Sequence, residues 1–295
     1  MREPALLSLE DEMDQRSPIR LSPSAVRAFR ECPYRYAKDY IDRLPGCERV
    51  AIASFTFGNT IHQVLAAFIA RGGWERISKD GLLELFVERW PDNYSDPDKE
   101  LEDFHRAKEM LEAFYDSPYP ARPVKELGVE RKLVWRRPYA GILATGRIDR
   151  LVVHHDGTME AIDYKTGQRV MSVMEMADDA QALFYRTLAV TSQQSAGTMA
   201  IRVTYLYLAS GAAVSINFEE AEFHQGWARI VDVANRIRSA MERYHGGEAL
   251  GVAFPPRQGP QCNRCEMRQH CETASAATAD ERILRCTFRV DDESV

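Results

Sequence analysis

The sequence predicts an α/β fold: a mixed central sheet with a crossover helix, preceded and followed by helices. Three observations carry this prediction. Between residues 126 and 164, β-branched and aromatic residues alternate with polar ones at the period of a strand. Upstream of residue 115 and downstream of residue 220, apolar residues recur at helical spacing instead. A helical stretch from about Asp178 to Val190 separates two groups of strands, as a crossover does.

Each element has a local reason. Residues 1–16 are acidic and polar, lack the apolar core of a signal peptide, and read as a disordered tail. Order begins at Leu21, where Ser22 suits a helix N-cap and Pro23 the first helical position. The amphipathic stretch Ala25–Ile41 carries Val26, Phe29, Tyr36 and Tyr40, and Pro33 splits it into two helices meeting at Cys32–Pro33. A helix from about Phe57 to Ala70 ends near Gly72 and Gly73; two more cover Gly81–Trp90 and Asp98–Tyr115. Strands follow at Glu126–Trp135, Ile142–His154 and Met159–Tyr164, the last two joined by the turn signal Asp156–Gly157. Beyond the crossover helix come strands near Ile201–Leu208 and Ala213–Phe218, then a long helix from Glu220 to Tyr244. The expected organisation is a single domain over 17–295, with a helical insertion at about 72–120 and a cysteine cluster within 254–275.

The 295 residues, 45% hydrophobic and 28% charged, are ordinary for a globular protein with a sizeable core. No apolar run approaches the roughly 18–20 residues of a membrane span, so the expectation is a cytoplasmic protein without a membrane partner. Thirty-eight basic against 44 acidic residues give a net charge of −6, which speaks against a simple nucleic-acid-coating protein. Local basic regions remain: Arg20, Arg27, Arg30, Arg35, Lys38 and Arg43 in one, Arg257, Arg264 and Arg268 in the other. Charge alone favours plain solvated faces for both.

The chemistry concentrates in Gly146-Arg147-Ile148-Asp149-Arg150 and Ala161-Ile162-Asp163-Tyr164-Lys165-Thr166-Gly167. Residues i and i+2 of a strand face one side, so Asp163 and Lys165 point into one pocket, and Asp149 reaches it from across the hairpin. Two carboxylates suit Mg²⁺ or Mn²⁺, and a nearby ammonium can orient water or balance developing charge. The alternative is a surface hairpin in which Asp149 pairs with Arg147 or Arg150. His62 lies in the apolar segment Phe57-Gly58-Asn59-Thr60-Ile61-His62, where a lone histidine is commonly a core residue. Gln181 and Tyr185 stand one helical turn apart after the acidic strand.

Together these residues resemble the RecB-like branch of the PD-(D/E)xK nucleases, in order and over most of the chain. Gly58-Asn59-Thr60-Ile61-His62 is similar to the family's histidine motif, and Gly146-Arg147-Ile148-Asp149 to its first acidic motif. Ile162-Asp163-Tyr164-Lys165-Thr166-Gly167 is similar to its catalytic strand, and Gln181 and Tyr185 to its Gln-x-x-x-Tyr motif. The resemblance implies a restriction-endonuclease-like mixed sheet flanked by helices. It implies that His62, Asp149, Asp163 and the Tyr164 carbonyl hold divalent metal, that Lys165 acts on water, and that Gln181 and Tyr185 hold the lysine or touch the DNA backbone. Glu130 is a further candidate carboxylate.

Six cysteines are unevenly placed. Cys262-x₂-Cys265-x₅-Cys271 plus a distant cysteine gives four thiolates, enough for a zinc or iron–sulfur site, and chemistry alone leans to zinc. However, Leu21-Ser22-Pro23-Ser24 leading to Cys32-Pro33-Tyr34-Arg35-Tyr36 resembles the iron–sulfur clamp of AddB-type and CRISPR-associated adaptation nucleases. That resemblance implies a 4Fe–4S cluster on Cys32, Cys262, Cys265 and Cys271, with Cys47 and Cys286 as spare thiols. The clamp would set the basic face of Arg27, Arg30, Arg35 and Lys38 beside Arg264 and Arg268 to grip DNA.

The function so implied is metal-dependent hydrolysis of DNA, as an exonuclease of repair or recombination acting on single strands or free ends. No Gly-x₄-Gly-Lys-[Ser/Thr] loop is present, so any helicase motor would be a partner. The alternatives are a CRISPR spacer-acquisition nuclease and a non-catalytic DNA-binding subunit of a helicase–nuclease complex.

Overall fold

The computed structural model describes residues 18–42, 53–92, 94, 96–117, 119, 125–135, 141–191, 200–265, 268 and 271. The expected tail over 1–16, Cys47, Cys286 and Arg43 lie outside them, as does the side chain of Arg264. In chain order the elements begin with a short strand β1 (Ile19–Leu21), then α1 (Pro23–Glu31) and α2 (Pro33–Tyr40). Ser22 caps α1 by accepting from the Ala25 N–H, and Pro33 opens α2 directly after an extended Cys32. Three helices follow, α3 (Ala53–Ala70), α4 (Lys79–Arg89) and α5 (Pro97–Asp116), the last two within the stretch 72–120. Ser78 and Asp96 cap the last two, with Pro97 at the first turn of α5.

The sheet follows with β2 (Lys125–Val134), β3 (Ile142–Val153) and β4 (Met159–Lys165). Gly157 adopts the positive φ of 81° that closes the β3–β4 turn. Where one crossover helix was expected the chain forms two, α6 (Val173–Ala177) and α7 (Ala180–Thr191); a capping box between Ser172 and Glu175 starts the first. Strands β5 (Ile201–Tyr207) and β6 (Ala212–Asn217), the long α8 (Glu220–His245) and a short α9 (Leu250–Ala253) complete the order. β1 and α9 escaped the sequence reading because three or four residues are too few to display a period.

Among the described residues the sheet has six strands in the order β1-β3-β4-β5-β6, with β2 also on β3. β1 runs parallel to the start of β3, β2 and β4 antiparallel to it, and β5 parallel to β4. This is the mixed α/β sheet that was expected. Alternation along the strands buries both faces. Val152, Ile162, Tyr164 and Leu206 pack under Ile61, Leu65, Phe68, Leu82, Phe86 and Leu111 of α3–α5. Ile148, Leu151, Ala161 and Val203 pack under Ala182, Leu188 and Ala189 of α7. A third cluster joins α1 and α2 to α8 through Val26, Phe29, Trp227 and Ile230. Among the described residues no helix is long and apolar enough to cross a membrane.

Candidate active site

The β3–β4 ladder runs from Val153 opposite Met159 to Arg150 opposite Ile162. Beyond that pair β4 continues to Lys165 against β5, and the Tyr164 N–H turns to a side chain, donating to Asp149 Oδ2 at 2.9 Å. A carboxylate has taken the place of a ladder carbonyl. Asp149 and Asp163 are only 5% and 2% exposed, so each requires donors or a cation.

On the α7 side Asp163 and Lys165 share a face, as their spacing predicted. Lys165 Nζ lies 2.6 Å from Asp163 Oδ2 and donates to Gln181 Oε1 at 2.7 Å. Gln181 Nε2 donates to Asp163 Oδ1 at 2.5 Å. The Tyr185 hydroxyl lies 2.8 Å from that oxygen and 2.9 Å from the Arg147 carbonyl, with one proton to give between them. One helical turn of α7 thereby holds both members of the Asp–Lys pair. Gly146 faces this helix, and a Cβ there would meet Leu188 Cδ1 at 2.7 Å.

On the α3 side His62 Nδ1 lies 3.1 Å from Asp149 Oδ2 and 3.9 Å from Glu130 Oε1. Glu130 sits between Val129, which pairs with Arg150, and Arg131, which pairs with Ile148, so it stands opposite Asp149. Its φ is 50°, a left-handed value inside a strand that costs an L-residue roughly 1–2 kcal/mol. Strain of this kind collects where a side chain is held for a purpose. His62, Glu130 and Asp149 each offer one ligand atom, all within 4.8 Å of one another. The surface-hairpin alternative fails, since Arg147 pairs with Glu130 and Arg150 with Glu126. Asp163, expected beside His62 and Asp149, has its two oxygens turned to Lys165, Gln181 and Tyr185.

Burial pushes the Asp149 carboxyl above the usual range, and the neighbouring Asp163 charge adds to it. Burial and the Asp149 charge raise Glu130 likewise. Burial opposes charge on His62, yet the Asp149 hydrogen bond and the charges of Asp149, Asp163 and Glu130 outweigh it and bring its pKa to about 9. The Tyr185 phenol is driven well up by burial. Burial, together with the mutual repulsion of the carboxylates, favours the protonated acids here. A divalent cation would relieve that repulsion, and a donor set of carboxylates with one imidazole suits Mg²⁺ or Mn²⁺.

The four cysteines expected to act together line one cavity, with Arg35, Arg257 and Arg268 in its wall. Cys32 occupies the extended joint between α1 and α2, and its sulfur accepts from the Arg257 N–H at 3.4 Å. Cys262, Cys265 and Cys271 follow on successive tight turns, with Cys265 N–H donating to the Cys262 carbonyl and Cys271 N–H to that of Arg268. Gln261 Nε2 donates to the Glu31 carbonyl at 3.1 Å and fastens this segment to the end of α1. The basic face is less open than charge counting suggested. Arg35 lies 3.7 Å from both Glu31 and Asp39, and Lys38 lies 2.7 Å from Asp42. Arg27 is exposed and Arg30 is half-buried.

A family model described as the PD-(D/E)XK nuclease superfamily matches residues 20–272. No curated protein matches the chain. The solved structure of SSO0001 aligns over 86% of this chain and 86% of its own, at 15% identity and a TM-score of 0.35.

His62 links the cleft to stability. Because its pKa rises from 6.5 to about 9 on folding, the protonated ring stabilises the fold fully below about pH 6.5 and ceases to do so as pH passes about 9. Thermal melts of the metal-free chain should therefore show a Tm that declines between these pH values, and His62→Gln should flatten the decline. An equally steep decline in the variant would place the titrating group elsewhere.

Proposed function

The chain belongs to the PD-(D/E)XK nuclease superfamily, and we propose that it is a RecB-like, metal-dependent DNA exonuclease of repair or recombination. The observation that carries this reading is the intact Asp149–Asp163–Lys165 set, with Asp163 and Lys165 both gripped by Gln181 and both aspartates buried. A non-catalytic binding module gains nothing from burying two carboxylates at one strand end. His62, Glu130 and Asp149 would hold the divalent ion, with Asp163 and the Tyr164 carbonyl as its further ligands. When bound, the ion supplies Lewis-acid polarisation of the phosphate and of the attacking water.

The chain's own residues do the rest. Lys165 Nζ, held by Asp163 and Gln181, donates a hydrogen bond to the water or to a phosphate oxygen. Tyr185 and Gln181 keep the Asp163 carboxylate from rotating. Arg27, exposed on the α1 side of the cleft, and Arg30 meet the DNA backbone. The substrate is DNA that is single-stranded or has a free end, and a separate helicase would feed it where duplex is digested.

For Cys32, Cys262, Cys265 and Cys271 the reading is a 4Fe–4S cluster, with zinc the lesser candidate. Three arginines around four thiolates suit a centre of net negative charge. Its bonds would add folding free energy and fix the α1–α2 joint to the C-terminal segment.

Two experiments test these readings. Protein purified without oxygen should degrade end-labelled single-stranded DNA with Mg²⁺ or Mn²⁺, and Asp163→Ala and Lys165→Ala should each lower the rate at least about 10³-fold. Variants as active as the wild type would defeat the assignment. Separately, elemental analysis should find iron and inorganic sulfide in the wild type, and both should be depleted in Cys265→Ser. Stoichiometric zinc without iron would replace the cluster.

A further inference from the structure

Lys165 has a third neighbour besides Asp163 and Gln181. Its ammonium stands over the ring of Tyr205, 4.1 Å from the centroid. Tyr205 lies on β5 beside Asp163 in parallel register and is fully buried. Its hydroxyl donates to Asp179 Oδ2. Asp179 immediately precedes α7, and its carbonyl accepts the Leu183 N–H in the first turn of that helix. The helix start that bears Gln181 thus also braces the ring beneath the lysine.

A lysine head on a flexible four-carbon stem samples many positions unless several directions are closed. Asp163 and Gln181 close two of them through hydrogen bonds. The negative face of an aromatic ring closes a third, attracting the ammonium without accepting one of its protons along a fixed line. Tyr205 is fully buried beneath the ammonium, so its ring limits how deep the ammonium can sink. One N–H is then left to point out of the cleft.

We propose that Tyr205, braced by Asp179, is a positioning residue that seats the Lys165 ammonium at its working height in the cleft. The effect on rate rests on the nuclease reading; the seating of the lysine does not. An aliphatic residue would keep the core filled but lose the polar face, whereas phenylalanine would keep the face and lose only the brace.

The test uses the full chain with Tyr205→Phe and Tyr205→Leu, and two readouts. In spectra of protein carrying ¹³Cε-labelled lysine, the Lys165 methylene protons should be shifted upfield by the ring current. That signal is identified by its loss in Lys165→Arg. The shift should persist in Tyr205→Phe and vanish in Tyr205→Leu. In cleavage assays Tyr205→Leu should lower kcat by about 10–100-fold with KM for DNA nearly unchanged, since a displacement of about 1 Å can cost that much. Tyr205→Phe should stay within about threefold of wild type. An unshifted Lys165 signal in the wild type, which requires no variant to fold, overturns the proposal. Equal kcat losses in the two variants, or a change in KM alone, overturn it as well. A wild type without nuclease activity whose Lys165 signal is shifted, and returns to normal in Tyr205→Leu, supports the seating and defeats the nuclease reading.

Discussion

The molecule depends on the point where β3 and β4 stop pairing. Past Arg150 and Ile162 the ladder ends, and the Asp149 carboxylate accepts the N–H that a strand carbonyl would have taken. That substitution holds one buried carboxylate against the backbone of the residue that follows the other. Two negative charges so close, and so far from water, repel each other unless a positive group intervenes. In the chain itself that group is divided. Lys165 answers Asp163, and a protonated His62 answers Asp149. The sheet supplies the acids, and the helices on its two faces supply the countercharge and its control.

This division explains why the domain needs layers on both sides. His62 arrives from α3, whose apolar face is fixed by Ile61, Leu65 and Phe68 against α4, α5 and the sheet. Gln181 and Tyr185 arrive from α7, which is wedged between the sheet and the α1–α8 layer by Ala182, Leu183 and Phe184. The cysteine-lined cavity lies at the outer joint of that second layer, where Cys32 separates α1 from α2. Whatever fastens that joint also steadies α1, and through its contact with α7 the grip on Asp163 and Lys165.

Much of this was legible in the sequence because the signals are local. Pro33 splits α1 from α2, Asp156–Gly157 marks the hairpin, and the i, i+2 spacing of Asp163 and Lys165 puts them on one face. Other features depend on distant pairing and left no local trace. Glu130 entered only as a further candidate; its φ of 50° and its place opposite Asp149 follow from the register of β2 on β3. Tyr205 reads as one more aromatic in an alternating strand, and its role follows only from lying beside Asp163 in a parallel pair. The charge of Arg35 and Lys38 was visible, but not that Glu31, Asp39 and Asp42 stand beside them.

The Asp149 carboxylate is balanced by a proton on His62, and a divalent ion bound there would displace it. Titration calorimetry with Mn²⁺ near pH 7.5, in two buffers of different ionisation enthalpy, measures that exchange directly. Release of about one proton per ion bound is expected from the wild type, because a ligating imidazole must be neutral. Release should fall towards zero in His62→Gln. Tight Mn²⁺ binding by the wild type without proton release would contradict it.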